Sequence, residues 1–196
     1  MRIDLHVHTS ALSYDSNVAP EELVQLAQER GLDGLVLTEH DKIWDWDELA
    51  LLSRAAKFPV LPAVEVTTDL GHILVFGLRD LPRGHHSART LREVCDGEGA
   101  LMYLAHPARS GSVRIKPDEM TTLFDGVEGV NGSDGALHNQ ASARAGSACR
   151  LPAIGGSDTH ARHEVGLAAT TFETAIQTMD DLLEALRSGR YQGGSL

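Results

Sequence analysis

Arg2-Ile3-Asp4-Leu5-His6-Val7-His8 opens the chain with an apolar run that ends on two histidines. In an extended segment, residues i and i+2 share a face, so this spacing predicts a strand offering both imidazoles on one side. The layout recurs along the chain. Gly34 to Thr38 runs into Glu39-His40-Asp41, Val60 to Thr67 carries Glu65, and Ala100 to Ala105 runs into His106-Pro107. Gly126 to Val130 ends in Asn131, and Pro152 to Gly155 leads into Gly156-Ser157-Asp158-Thr159-His160, where Asp158 and His160 repeat the i, i+2 pair.

Helical patterns separate most of these strands. Pro20 to Arg30 has Pro at its first turn, Glu21 and Glu22 at the positive end of the dipole, and Gly31 as terminator. Trp46 to Ala56, Ala88 to Cys95, Pro117 to Phe124, Ala136 to Cys149 and Asp180 to Ser188 read as further helices. His72 to Leu78 and Ala168 to Phe172 read as additional strands, and Leu81 to Ser87 and Arg109 to Ile115 as loops. Strands trailed by helices predict an α/β fold around a parallel sheet, either open and doubly wound or closed as a small barrel. No Gly-rich phosphate loop follows the first strand, which weakens the nucleotide-binding doubly wound alternative. In both architectures, sites form at the C-terminal ends of strands, where six separate strands here carry ligand-type residues.

Composition bounds the chemistry. The 196 residues suit one domain, 1–196, with the tail from about residue 190, including Gly193-Gly194-Ser195, expected to be flexible. The formal net charge of -11 opposes extended binding along a nucleic-acid backbone, though not a small phosphorylated substrate held by metal ions. Histidine is over-represented, 10 residues against 3 Tyr, 4 Phe and 2 Trp, and imidazole is the commonest metal ligand among side chains. The isolated Cys95 and Cys149 form neither a disulfide framework nor a zinc knuckle and read as small hydrophobes. The N-terminus lacks an apolar signal region and no stretch reaches the roughly 20 apolar residues of a membrane helix, so a cytoplasmic protein without membrane contact is expected.

His6, His8, His40, His106 and His160, with Asp15, Glu65 and Asp158 and no cysteine, suit Zn, Mn or Fe better than Mg or Ca alone. Eight ligands exceed what one catalytic ion takes, so two or three divalent ions are expected. Glu65, central in the series, is the candidate bridge.

His6-Val7-His8-Thr9, Thr38-Glu39-His40-Asp41, Glu65, Ala105-His106-Pro107 and Gly156-Ser157-Asp158-Thr159-His160 occur in the order seen in the polymerase and histidinol phosphatase (PHP) superfamily. The resemblance spans residue 3 to about residue 172. It implies a distorted (β/α)7 barrel, with a metal site at the C-terminal strand ends, that hydrolyses phosphoesters. Carried over, His6, His8, Glu65 and Asp158 would hold a first ion, Glu65 and His106 a second, and Asp15, His40 and His160 a third. The family's remaining ligand position, often His or Cys, is here Asn131, a poor ligand that leaves the second ion weakly held, dependent on substrate, or absent.

The resemblance to the small stand-alone members implies a hydrolase for a small phosphomonoester or nucleotide, acting through a metal-bridging hydroxide. Glu65, Asp158 and His160 are the expected catalytic group, with His160 or a metal-bound water as candidate acid. Arg109, Lys42 and His72 are candidate substrate contacts. A 5′–3′ exonuclease or oligonucleotide phosphodiesterase is the alternative enzyme, and a metal-stabilised accessory domain the alternative without catalysis. A C–N amidohydrolase is disfavoured because no strand ends in lysine. Trp44 and Trp46 are expected to pack under the following helix more than to stack a base. His85, His86, His138 and His163 read as surface or structural residues.

Overall fold

The structure, a computed structural model, describes residues 1–111 and 113–195; Ser112, in the expected loop from Arg109 to Ile115, and Leu196, at the end of the tail, lie outside them. The chain runs β1 (Arg2–Val7), α1 (Pro20–Glu29), β2 (Gly34–His40), α2 (Trp46–Ala56), β3 (Val60–Thr68), β4 (Gly71–Phe76), α3 (Ala88–Glu98) and β5 (Leu101–Leu104). It continues through α4 (Pro117–Leu123), β6 (Gly126–Asn131), α5 (Ala136–Ala148), β7 (Ala153–Gly156), β8 (Ala168–Phe172), α6 (Met179–Ser188) and β9 (Tyr191–Ser195). All the strands join one sheet in the order β7-β6-β5-β4-β3-β2-β1-β8-β9.

The sheet curls until its ends nearly meet. Thr170 in β8 donates its hydroxyl to the Gly155 carbonyl and accepts from the Gly155 N–H, both at 2.9 Å. Past β7, the Asp158 N–H donates to the His6 carbonyl at 2.8 Å and the His8 N–H to the Thr159 carbonyl at 3.1 Å. The result is a mixed α/β, barrel-like sheet.

It departs from seven strict βα repeats in two places. β3 turns straight into β4, which runs antiparallel to both β3 and β5. β8 and β9 are also antiparallel additions beside β1. β9 corrects the expectation of a flexible tail: Tyr191 to Ser195 pairs with β8 along its whole length. Glycines 193 and 194 gave no apolar pattern to read, and at Gly193 the neighbouring backbone comes too close for a side chain. A Cβ on Gly193 would lie 2.4 Å from the Ile154 carbonyl carbon.

Three apolar clusters follow from strand alternation. Ile3, Leu5, Val36, Ala63, Leu74, Phe76 and Tyr103 share one face of the sheet with α6. The other face packs Val7, Leu35 and Leu37 under α1 and α2, and Val64, Val66, Ile73 and Val75 against α3 and α4. β1 changes face along its length. Ile3 and Leu5 belong to the first cluster, Val7 to the outer one, and the pairing register with β2 shifts between Asp4 and Val7. This bulge brings His6 and His8 round with the inner residues. α6 lies at the end where β1 begins, with the Ile176 N–H on the Met1 sulfur, so the opposite end is free for a site. Cys95 is fully buried on α3 and burial pushes its thiol up to about 12, as expected of an inert core residue. Among the described residues no helix is long and apolar enough to cross a membrane.

The seam sets a stability test. A Cβ on Gly155 would lie 2.6 Å from the Ala169 carbonyl oxygen and 2.9 Å from the Gly194 nitrogen, whereas one on Gly97 within α3 meets nothing within 4 Å. Gly155→Ala is expected to cost about 1–3 kcal/mol in urea unfolding, and Gly97→Ala to add about 0.5–1 kcal/mol.

Candidate metal centre

At the open end of the curled sheet, His6, His8, Glu65 and Asp158 bring one ligand atom each into a buried group. His6 Nε2 lies 3.1 Å from His8 Nε2, 3.3 Å from Glu65 Oε2 and 3.3 Å from Asp158 Oδ1. His8 Nε2 lies 3.2 Å from Glu65 Oε2 and 3.3 Å from Asp158 Oδ1. Four donors around an ion at about 2.0 Å would be separated by edges of about 3.3 Å, so the tetrad has the dimensions of a tetrahedral cage. Glu65 Oε2 is buried and receives no well-formed hydrogen bond, although three imidazole nitrogens surround it. Such an orphaned oxygen is what a cation would satisfy, and the donor set fits zinc or manganese.

A second group sits against the first. Asp15 Oδ2, His40 Nε2 and His160 Nε2 form a triangle with sides of 3.3, 3.4 and 3.4 Å. His40 joins the groups, because its Nδ1 lies 3.1 Å from Glu65 Oε2. The other oxygen of Glu65, Oε1, faces His106 Nε2 and His72 Nδ1, each at 2.9 Å. All eight expected ligands therefore converge, and Glu65 lies between the groups.

Residues behind the donors orient the rings, and sequence reading passed over most of them. Glu128, fully buried in β6, accepts from His6 Nδ1 at 2.9 Å and from the His106 N–H at 2.9 Å. A carboxylate on Nδ1 holds the hydrogen there and turns Nε2 toward the cage. His8 Nδ1 meets Ser13 Oγ at 3.2 Å, and Ser13 in turn donates to Glu39 at 2.5 Å. Glu39 also accepts from Thr9 and from the Trp44 indole. The available signal for Glu128 was a lone carboxylate inside the run Gly126-Val127-Glu128-Gly129-Val130, which burial on both faces would make costly without partners. Asp158 and His106 both adopt positive φ, 56° and 29°, a conformation that non-glycine residues hold only where surrounding structure imposes it.

Several expected contacts are placed differently. Arg109 reaches the centre but is already paired: Nη2 donates to Asp158 at 2.5 Å and to Asn131 Oδ1 at 3.0 Å, and Nε donates to Asp134 at 2.7 Å. Asn131 turns its amide nitrogen inward, donating to Glu128 at 3.0 Å and Asp158 at 3.3 Å, so its oxygen points away toward Arg109 and the Ser133 N–H. Lys42 does not join the centre; its ammonium is exposed and donates to the Leu12 carbonyl. Trp44 and Trp46 pack on apolar clusters, with Arg79 4.2 Å above the Trp46 ring. His163 is exposed, while His85 and His86 come together beside Asp41, away from the central donors.

Comparison with known proteins places this arrangement. Residues 136–191 match the family model described as PHP-associated. MJ1587, an uncharacterized protein of Methanocaldococcus jannaschii, is 28% identical over 152 residues, covering 71% of this chain and 88% of that protein. PsfC from Pseudomonas syringae has the same fold, with a TM-score of 0.75 at 18% identity over 100% of this chain and 91% of its own. A Bifidobacterium adolescentis protein described as a metal-dependent phosphoesterase gives 0.68 at 17% identity, covering 94% and 95% of the two chains. An amidohydrolase from Chromobacterium violaceum, with bound sulfate and no metal, gives 0.68 at 19%, covering 95% and 97%. At these identities the structural matches speak to the fold.

Charge in this centre is strongly coupled. Burial alone would lower the His6 and His8 pKa values, but the carboxylates of Asp158, Glu128 and Glu65 raise His6 well above the usual imidazole value, and Asp158 and Glu65 raise His8. Burial would likewise raise Glu65 and Asp158, yet the surrounding imidazoles hold both well below the usual carboxylate range. Without an ion these shifts favour ionised Glu65 and Asp158 beside protonated His6 and His8. A cation must displace those protons, so affinity should rise with pH. Zinc titrations of metal-free protein at neutral pH are expected to show a calorimetric enthalpy that varies with the ionisation heat of the buffer. Affinity should weaken as the pH is lowered, and a buffer-independent enthalpy would contradict the protonated assignment.

Proposed function

We propose that the chain is a metal-dependent phosphoesterase acting on a small phosphomonoester or nucleotide. The observation that carries this reading is the tetrad His6, His8, Glu65 and Asp158 abutting the triangle Asp15, His40 and His160, with a cationic Arg109 at its edge. Two or three Zn, Mn or Fe ions suit these donors, with Glu65 as the shared ligand. When bound, the ions supply Lewis-acid polarisation and a nucleophile from water at neutral pH.

The protein's own groups supply binding and proton movement. Arg109 has Nε and Nη2 fixed by Asp134, Asn131 and Asp158, which sets its guanidinium plane and gives Nη1 the role of donating to a phosphoryl oxygen. A cavity of about 500 Å³ opens beside it, walled by His72, His106, Arg109 and the apolar Leu70, Leu104 and Ile115. It is large enough for the organic part of a nucleotide-sized substrate. His160 has Nδ1 held by the Asp158 carbonyl at 2.9 Å and Nε2 turned to Asp15 and His40, so neither nitrogen is left for a leaving group. We assign the leaving-group proton to His72 Nε2 instead. Its Nδ1 rests on Glu65, whose hydrogen bond is the main cause of its raised pKa, and it is half-exposed on the cavity wall.

Purified protein supplied with Mn or Zn is expected to hydrolyse p-nitrophenyl phosphate, and His8→Ala or Asp158→Ala to abolish turnover. Full activity in the doubly substituted protein would sink the reading. Metal uptake with no turnover across nucleotides, sugar phosphates and oligonucleotides would favour an accessory domain, and cleavage of a single-stranded oligonucleotide from its 5′ end the exonuclease.

The proton assignment separates substrates by their leaving group. His72→Ala should lower kcat by about 10²–10⁴ for alkyl phosphates, whose departing alkoxide needs a proton, and leave p-nitrophenyl phosphate little changed. Equal losses on both would remove His72 from the acid role.

A further inference from the structure

We propose that Asp41, His85 and His86 form a separate divalent-cation site on the surface, of a chemistry that suits zinc. One ligand atom of each lies within 4.8 Å of the other two. His85 Nδ1 lies 3.0 Å from the Pro82 carbonyl and His86 Nδ1 2.9 Å from the Thr67 carbonyl. A carbonyl only accepts, so each Nδ1 carries the hydrogen and each Nε2 keeps a lone pair for a ligand. Backbone carbonyls orient metal-binding histidines in this way.

Asp41 is held by the same residue, Thr67. Its Oδ1 accepts from the Thr67 N–H at 2.8 Å, while the Thr67 carbonyl holds His86. Asp41 has φ of 51°, a region that costs a non-glycine residue energy and that here turns its side chain off the end of β2. The two imidazoles are neighbours in sequence with ring centroids 4.1 Å apart. Asp41 and His85 are half-buried and His86 exposed, so water can complete the coordination around three protein donors. Two imidazoles and one carboxylate select a borderline ion over Mg or Ca. A bound ion would tie the turn at 83–86 to the end of β2, one residue beyond His40. The site shares no side chain with the central donors and stands whether or not the phosphoesterase reading holds.

Equilibrium dialysis of the full chain against zinc, compared with His85→Ala/His86→Ala, counts the ions. The native protein is expected to hold one more per chain than the variant, with hydrolysis at the central site unchanged. Zinc should also slow tryptic cleavage after the exposed Arg83 by about tenfold or more in the native protein alone, because binding depletes the locally open state. Should the double variant misfold, His86→Ala, at an exposed position, makes the same comparison. Equal zinc stoichiometry in native and variant proteins overturns the proposal; a missing ion with unchanged cleavage upholds the site and removes only the tethering of the turn.

Discussion

The Glu65 carboxylate is the point on which the rest of this structure turns. It is 1% exposed, and its two oxygens are approached by five imidazoles: His6, His8 and His40 at Oε2, His72 and His106 at Oε1. A carboxylate so placed costs several kcal/mol unless positive charge surrounds it. The imidazoles come from the ends of β1, β2 and β5 and the start of β4, so the charge is balanced only when these strands align around β3. The register that pairs His40 with Glu65, and Glu65 with Leu74, two residues along from His72, is thereby an electrostatic requirement as well as a packing one.

Around that carboxylate, a second set of anions sets direction. Glu128 and Glu39 never face the cage, yet they decide which nitrogen of His6 points inward and hold Ser13 where it meets His8. Arg109 lies on the opposite side, shared among Asp158, Asp134 and Asn131. Its charge sits beside Asn131, whose amide nitrogen faces Glu128 and Asp158.

Much of this was legible from residue types and their spacing. The strand at 168–172 and the helix at 46–56 are found at their expected bounds, and His6, His8, His40, Glu65, His106 and Asp158 converge from in or just after apolar runs that form buried strands, joined by Asp15 from the loop after β1. Lys42, expected as a phosphate contact because it is a cation one residue past Asp41, follows a left-handed turn at Asp41 and bonds to the Leu12 carbonyl. The strand at 191–195 was invisible because its glycines carry no hydrophobic pattern, and the closeness of Ile154 and Gly155 that requires Gly193 appears only in the fold. His85 and His86 looked like surface residues, and their meeting with Asp41 depends on a fold that brings positions more than forty residues apart together, with Asp41 and His86 both bonded to the backbone of Thr67.

By itself the sequence determined the donor set, its order along the chain and the strand ends that carry it, because alternation and apolar runs are local properties of a β-strand. The tertiary structure decided the rest. The bulge between Asp4 and Val7 chose the face on which His6 and His8 lie, and β8 and β9 closed the sheet that a simple βα repeat would have closed otherwise. It also chose the side of Asn131 that faces inward and the partners that claim Arg109. Each depends on register and hydrogen bonding between segments far apart in sequence, where a shift of one residue reverses a side chain's face.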